Sequence, residues 1–362
     1  MELKTVNRSM LLPTGRMESG NPIIAPLQAG EMDATSDSPD DVLEAEIIES
    51  SPPEPKGDKP KAFIEANTEN VSLMHLKNQC IIPVFRDNEK TISHFEFIDS
   101  VNFVVNQCFR GEPILEPDIR VSHKINGRIP SALNKKVNEL EDWEKTLYYE
   151  RMMFLIEVPS ITDTIHGNEL SLSIGGVRAL NHESLFSKKS IEKFKVFIGF
   201  QNKVCTNLLV STDGIALELR VSGLQDLVKN VFDLIGNYNM RMQLDTMREF
   251  GNYALTEHQF AQMIGKARLY QYLPSAQKKG IPALNFNDSQ FNAVARDYYQ
   301  DESFCRDSNG DINLWKLYGL FTGANKTSYI DSFLDRSVSA YTFTESLMVA
   351  LEHESQMSWF LS

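Results

Sequence analysis

Residues 193–222, KFKVFIGFQNKVCTNLLVSTDGIALELRVS, constrain the fold more than any other stretch. Phe194, Val196, Ile198 and Phe200 alternate with Lys193, Lys195, Gly199 and Gln201, which puts the four apolar side chains on one face of a strand. Only Phe197 breaks the pattern. Ile215, Leu217, Leu219 and Val221 alternate equally cleanly with Ala216, Glu218, Arg220 and Ser222. Between them, Val204 to Val210 is an apolar, β-branched run suited to a strand covered on both faces. Asp213-Gly214 is a turn signal feeding the last strand. Three successive strands of this kind form the centre of a sheet, and the rest of the chain must cover it.

The flanking sequence supplies that cover. Residues 80–85 read as a strand, with Pro83 placing it at an edge, and Asp87-Asn88 as a turn. Ser93-His94-Phe95-Glu96 is a capping box opening a helix to about Phe109, with Phe97, Ile98, Val101, Val104 and Val105 toward the sheet. Asn126-Gly127, between alternating segments over 118–130, predicts a tight hairpin with Arg120 and Lys124 on one face and Arg128 on the other. Residues 140–151 form a short helix or loop. Residues 152–158 and 169–174 are strands, Gly175-Gly176 a bend or turn, and 177–182 continues the sheet.

After Val221 the period changes to about 3.6. Ser222-Gly223-Leu224-Gln225 reads as a second capping box on a long helix reaching Phe250, and Thr256-Glu257-His258-Gln259 caps the next. Residues 288–300, 314–321 and 329–352 complete a helical region. The fold class is α+β: an antiparallel sheet domain over 63–222, then an all-helical region over 223–362. Residues 1–62 form an acidic arm, rich in proline and poor in aromatics, expected to be unfolded.

Charge is uneven along the chain. The net charge is −13, of which residues 1–60 carry −7 and the other 302 residues −6. That argues against non-specific coating of DNA and leaves a confined basic site possible. Two basic clusters stand out. Arg120, Lys124, Arg128, Lys135 and Lys136 occupy a stretch without an acid, and Lys188, Lys189, Lys193, Lys195 and Lys203 surround the central strand. Phe186, Phe194 and Phe197 lie among the second set as candidate stacking platforms for bases.

Enzyme signatures are sparse. Cys80, Cys108, Cys205 and Cys305 form no CxxC pair, and the seven histidines form no HxH or HxxxH pair. No Walker loop or GxGxxG is present. Asp307-Ser308-Asn309-Gly310-Asp311 has calcium-loop spacing, but Ile312 and Tyr318 stand where glycine and a bidentate acid are required. It reads instead as an Asx turn capping the next helix. No catalytic residue, metal site or cofactor is expected. The chain carries no membrane-spanning run and no signal peptide, and the expected location is the cytosol.

The segment from Asn313 to Arg336, with Trp315, Lys316, Lys326 and Arg336, resembles a family of uncharacterised proteins from Bacteroides and relatives, found on conjugative and other mobile elements. The resemblance runs from about residue 70 to the C-terminus. A looser likeness to a phage and plasmid family of unknown function rests on the helix over 93–109 and on Val204-Cys205-Thr206-Asn207. The order of helix, basic hairpin and strands is also similar to phage single-strand annealing proteins. The resemblance implies a mobile-element protein, and with the basic clusters it points to a non-enzymatic binder of single-stranded nucleic acid. A protein-interaction factor working through the acidic arm or an apolar patch is the alternative, and an enzyme of unrecognised type a third. The sequence leaves the oligomeric state open.

Overall fold

The computed structural model describes residues 62–82, 91–132, 134–183, 191–279 and 281–362. The acidic arm, the 83–85 part of the edge strand and the turn at Asp87-Asn88 lie outside them. The eleven strands of the described residues are β1 (Glu69–Asn70), β2 (Asp118–Val121), β3 (Lys124–Arg128), β4 (Lys145–Tyr149), β5 (Arg151–Ile165), β6 (Asn168–Ala179), β7 (Glu192–Asn202), β8 (Leu208–Leu209), β9 (Ile215–Val221), β10 (Ala254–Leu255) and β11 (Ile312–Asn313). The helices are α1 (Leu73–Gln79), α2 (His94–Cys108), α3 (Leu224–Asn237), α4 (Met240–Glu249), α5 (Glu257–Tyr270), α6 (Asp288–Gln300), α7 (Leu314–Asn325) and α8 (Ile330–Glu352).

The main sheet is curled and antiparallel, in the order β1-β2-β5-β6-β7, with β8 and β9 both pairing to the far side of β7. Its two faces carry different cores. Phe194, Val196, Ile198 and Phe200 share one face with Phe154, Ile156, Leu172 and Ile174, and α2 covers them with Phe97, Ile98, Val101, Val104 and Val105. Each of these five helix side chains is fully buried, a contribution of roughly 1.5–3 kcal/mol apiece. Phe197 faces the other way. It joins Met153, Leu155, Val177 and Val210 under Phe333 and Leu334 of α8 and Phe63 and Ile64 of the N-terminal segment. The one residue out of phase in β7 therefore belongs to a second core.

The predicted capping boxes of α2 and α5 are formed: Ser93 accepts from Glu96 N, and Thr256 from Gln259 N. The one predicted at Ser222 is not. Gly223 is the N-cap of α3 with no side-chain cap, and Ser222 hydrogen-bonds to Asp226. The single long helix is also broken in two. Asn239 caps α4 by accepting from Met242 N at 3.1 Å, and its own N–H donates to Asp213 at 2.9 Å. In the helical region α7 is buried around almost its whole circumference and serves as the central helix.

The structure corrects the sequence reading in three places. Gly175 and Gly176 form no bend; they run through the middle of β6. A Cβ at Gly175 would lie 2.1 Å from the Phe154 carbonyl oxygen, and one at Gly176 2.5 Å from the Phe97 ring, so the glycines admit aromatic rings to both faces. Asn126-Gly127 is no turn either. It lies inside β3, which pairs with β4, the segment expected to be helix or loop. The tight turn with positive φ at both central residues is His166 (φ 46°) and Gly167 (φ 80°), joining β5 to β6. Finally, Val204 to Asn207 is not strand: Val204 is exposed, Thr206 adopts φ 58°, and only Leu208–Leu209 pairs with β7.

Candidate nucleic-acid interface

Of the first basic cluster, Lys124 and Arg128 lie on a two-stranded ribbon separate from the main sheet. In its antiparallel register Lys124 faces Tyr149, Asn126 faces Leu147 and Arg128 faces Lys145. Cross-strand partners share a face and alternate residues repeat it. Lys124, Arg128 and Lys145 therefore project from the same side, not from opposite sides of a hairpin. Gly127 is there for space, because a Cβ would meet the Thr146 hydroxyl at 2.7 Å. The connection from β3 to β4 runs through three short 3-10 turns, Pro130–Ala132, Val137–Glu139 and Asp142–Glu144. It carries Lys135, Lys136 and Trp143, whose indole is 70% exposed.

Arg128 directly opposite Lys145 is a like-charge pair, which weakens a ribbon unless something offsets it. Within the chain the offset is partial. Arg128 donates to the Lys135 carbonyl, and Lys145 pairs with fully exposed Asp142 at 2.7 Å. Lys135 donates to buried Glu144 at 2.6 Å, and that bond holds the Glu144 carboxyl below the usual carboxylate range. Lys124 and Lys136 have no ion-pair partner among the described residues. Arg120 sits apart on β2, facing Met153 of β5 and paired with Asp118 at 3.2 Å.

The second cluster is dispersed. Lys188, Lys189 and Phe186 lie outside the described residues. Lys203 pairs with Glu169 at 2.7 Å. Lys195 donates to the Asp331 carbonyl at 2.8 Å and pairs with Asp335. Phe194 and Phe197 are 1% and 0% exposed and offer no platform to a base; Phe194 lies instead against the Arg178 guanidinium, 4.7 Å from its ring centre. What the fold does bring together is Lys193 and Lys195 with Arg336 of the C-terminal motif, in one cleft of about 630 Å³ beside α8.

The two segments that carried the resemblance also meet. Asn207 donates to the Gly319 carbonyl at 3.0 Å and to Thr322 at 3.1 Å. Lys326, only 6% exposed, donates to the Cys205 carbonyl and to Thr206 at 2.9 Å, while its own carbonyl accepts from Glu65 N and Ala66 N. The left-handed conformation of Thr206 costs of the order of 1–3 kcal/mol, and these bonds hold it. Trp315 is buried and Lys316 pairs with Asp307 at 2.6 Å. Asp307, expected in a capping turn, is thus tied to Lys316, and Asn313 is the cap of α7. Arg336 donates to the Asn285 carbonyl at 2.9 Å and to Ser328 at 2.7 Å. Burial raises the pKa of the Cys205 thiol, which keeps it protonated and a poor nucleophile. Among the described residues no cluster of His, Cys, Asp and Glu could hold a metal, and no helix is long and apolar enough to cross a membrane.

Sequence reasoning missed Trp143, Arg151, Arg178 and Tyr329. Trp143 stands among Glu141, Asp142 and Glu144, a setting that already disfavours burial. The other three had no local signal.

Residues 43–361 match the model of a family described as a domain of unknown function, B. theta gene description (DUF3871). No curated protein and no solved structure matches the chain.

Proposed function

The chain belongs to this family, whose description gives no function, and we propose that it binds single-stranded nucleic acid through the β3–β4 ribbon. The observation that carries the reading is Arg128 opposite Lys145, flanked on the same face by Lys124, with the exposed indole of Trp143 two residues before Lys145. A phosphate between the two cations replaces repulsion with two charge-assisted contacts. A base stacked on the indole adds about 1–3 kcal/mol and requires no sequence preference. The exposed tryptophan takes the role expected of Phe194 and Phe197. The resemblance to mobile-element proteins supports the same role, that of a non-enzymatic factor holding single strands during annealing or recombination.

The test is fluorescence anisotropy of a labelled single-stranded oligonucleotide at two salt concentrations. Lys124→Glu/Arg128→Glu/Lys145→Glu should abolish binding with the melting transition kept. Each single Ala change should reduce the salt slope by about 0.7. Trp143→Ala should weaken binding about tenfold or more with the slope unchanged. No binding by the unmodified protein at low salt, or binding indifferent to the triple change, refutes the reading and favours a protein partner.

A further inference from the structure

The cleft beside α8 lies between that helix and the β6–β7–β9 end of the sheet. Its volume of about 630 Å³ is within the usual range for small-molecule sites. Most of its charges are already committed. Lys195 is held by the Asp331 carbonyl and the Asp335 carboxylate. The Asp331 carboxylate takes Arg151 at 3.4 Å and lies 3.7 Å from His182. Glu218 lies 3.4 Å from Arg220. Two cations retain capacity. Lys193 has no hydrogen-bond or ion-pair partner among the described residues, and Arg336 uses Nε and Nη1 on Asn285 and Ser328, with Nη2 given no partner among the described residues. Burial lowers the pKa of that guanidinium and the nearby Asp331 and Asp335 raise it, so desolvation is the larger influence at this position.

The other wall is apolar, made by Val177, Ala179 and Leu217. Two residues before Asp331, Tyr329 is 67% exposed, with the Arg151 guanidinium 6.0 Å from its ring centre. A fitting ligand therefore needs an anionic group for Lys193 and Arg336. It needs hydrogen-bond donors for the free lone pairs of Asp335 and Glu218, and a body with an apolar face. A phosphate joined to a sugar and a planar base has all three. We propose that this cleft binds a nucleotide unit, its phosphate held by Lys193 and the free edge of Arg336. The inference deepens the nucleic-acid reading in its ligand chemistry, but uses none of the ribbon residues. The unit could come from a free nucleoside monophosphate or from the phosphorylated end of a strand.

Calorimetric titration of the full chain with adenosine 5′-monophosphate at low salt tests the proposal. Saturable binding is expected, with adenosine at least tenfold weaker. Lys193→Gln, at a half-buried position that holds no internal bond, should weaken the monophosphate at least tenfold and leave the melting temperature unchanged. Arg336→Gln should do the same, read against its own melting curve because it also removes two structural bonds. Absence of monophosphate binding, equal binding of adenosine, or indifference to Lys193→Gln overturns the proposal. Oligonucleotides with and without a 5′-phosphate separate the sources. A strand end predicts tighter binding of the phosphorylated form, lost in Lys193→Gln, and a free nucleotide predicts no difference between them. The ribbon triple variant should bind the monophosphate normally. If the unmodified chain takes the monophosphate but no oligonucleotide, the ribbon reading fails and the cleft stands.

Discussion

Replacing Arg178 with methionine should be among the most damaging single changes in this protein, and the damage should depend on pH. Arg178 is wholly inaccessible to solvent on β6. Its Nε donates to Glu183 at 3.2 Å, Nη2 to Glu192 at 3.2 Å and to Glu183 at 3.4 Å, and Nη1 to the Ile92 carbonyl. Methionine fills comparable space but leaves two buried carboxylates without their shared cation. Breaking a buried pair from one side costs about 3–5 kcal/mol, because the remaining charge stays desolvated. The pH dependence comes from His94, and acidification should relieve part of the loss. Burial first and the Arg178 charge second hold its pKa down at about 3, and removing the charge lets it rise. Urea unfolding followed by tryptophan fluorescence, at pH 7.5 and 5.5, measures both effects. The gap between unmodified protein and variant should be about 3–5 kcal/mol at the higher pH and smaller at the lower. Arg178→Lys should lose less at both. A gap below about 1 kcal/mol at pH 7.5, or one that widens on acidification, refutes the account.

Other changes follow from the same packing. In the unmodified protein the depressed pKa of His94 means that the unfolded chain takes up the proton first as pH falls. Stability present above pH 6.5 should therefore drain away between 6.5 and about 3, by roughly 4 kcal/mol at most, and His94→Gln should flatten that part of the profile. Gly176→Ala should destabilise by at least about 1–3 kcal/mol, since its Cβ meets the Phe97 ring at 2.5 Å and the Lys195 carbonyl at 2.8 Å. Gly236→Ala, in α3 with open space around the new carbon, should raise stability by about 0.5–1 kcal/mol in the same urea assay. Asn207→Ala removes two buried bonds to α7 and should cost about 1–3 kcal/mol in urea unfolding; no measurable change would mean that the Cys-x-Asn segment does not hold α7.

Local periodicity made part of this fold legible. The alternation in β7 and the apolar stripe of α2 are each a complete statement within about ten residues, and both meet in one core. The Ser93 and Thr256 caps could be read for the same reason: a cap is closed within four residues. The glycines were misread because their cause is not local. Nothing near Gly176 in sequence announces Phe97, and nothing near Gly127 announces Thr146, yet those contacts decide that both glycines are strand residues. His166-Gly167 shows the converse. Histidine is a poor signal for a turn with positive φ, but its ring is held by the Arg248 carbonyl at 3.0 Å, and the turn joins strands of fifteen and twelve residues.

The candidate site divides along the same line. The excess of positive charge over 119–138 was visible as composition; of its cations Lys124 and Arg128 lie on β3, Lys135 and Lys136 on the connection to β4, and Arg120 apart on β2. Which of them share a face was not visible, because that depends on the register of β3 against β4, which neither segment sets alone. The cleft is a stronger case. Lys193 comes from β7, Asp331 and Arg336 from α8, and Asn285 from the segment before α6, so it exists only once the helical region has packed against the sheet. Charge in a sequence marks what must be solvated or paired. Among the described residues of the two basic clusters and the C-terminal motif, Lys195, Lys203, Lys316 and Lys326 have partners inside the fold, while Lys124, Lys136, Lys193 and one edge of Arg336 keep capacity. The proposed phosphate ligand rests on this remainder.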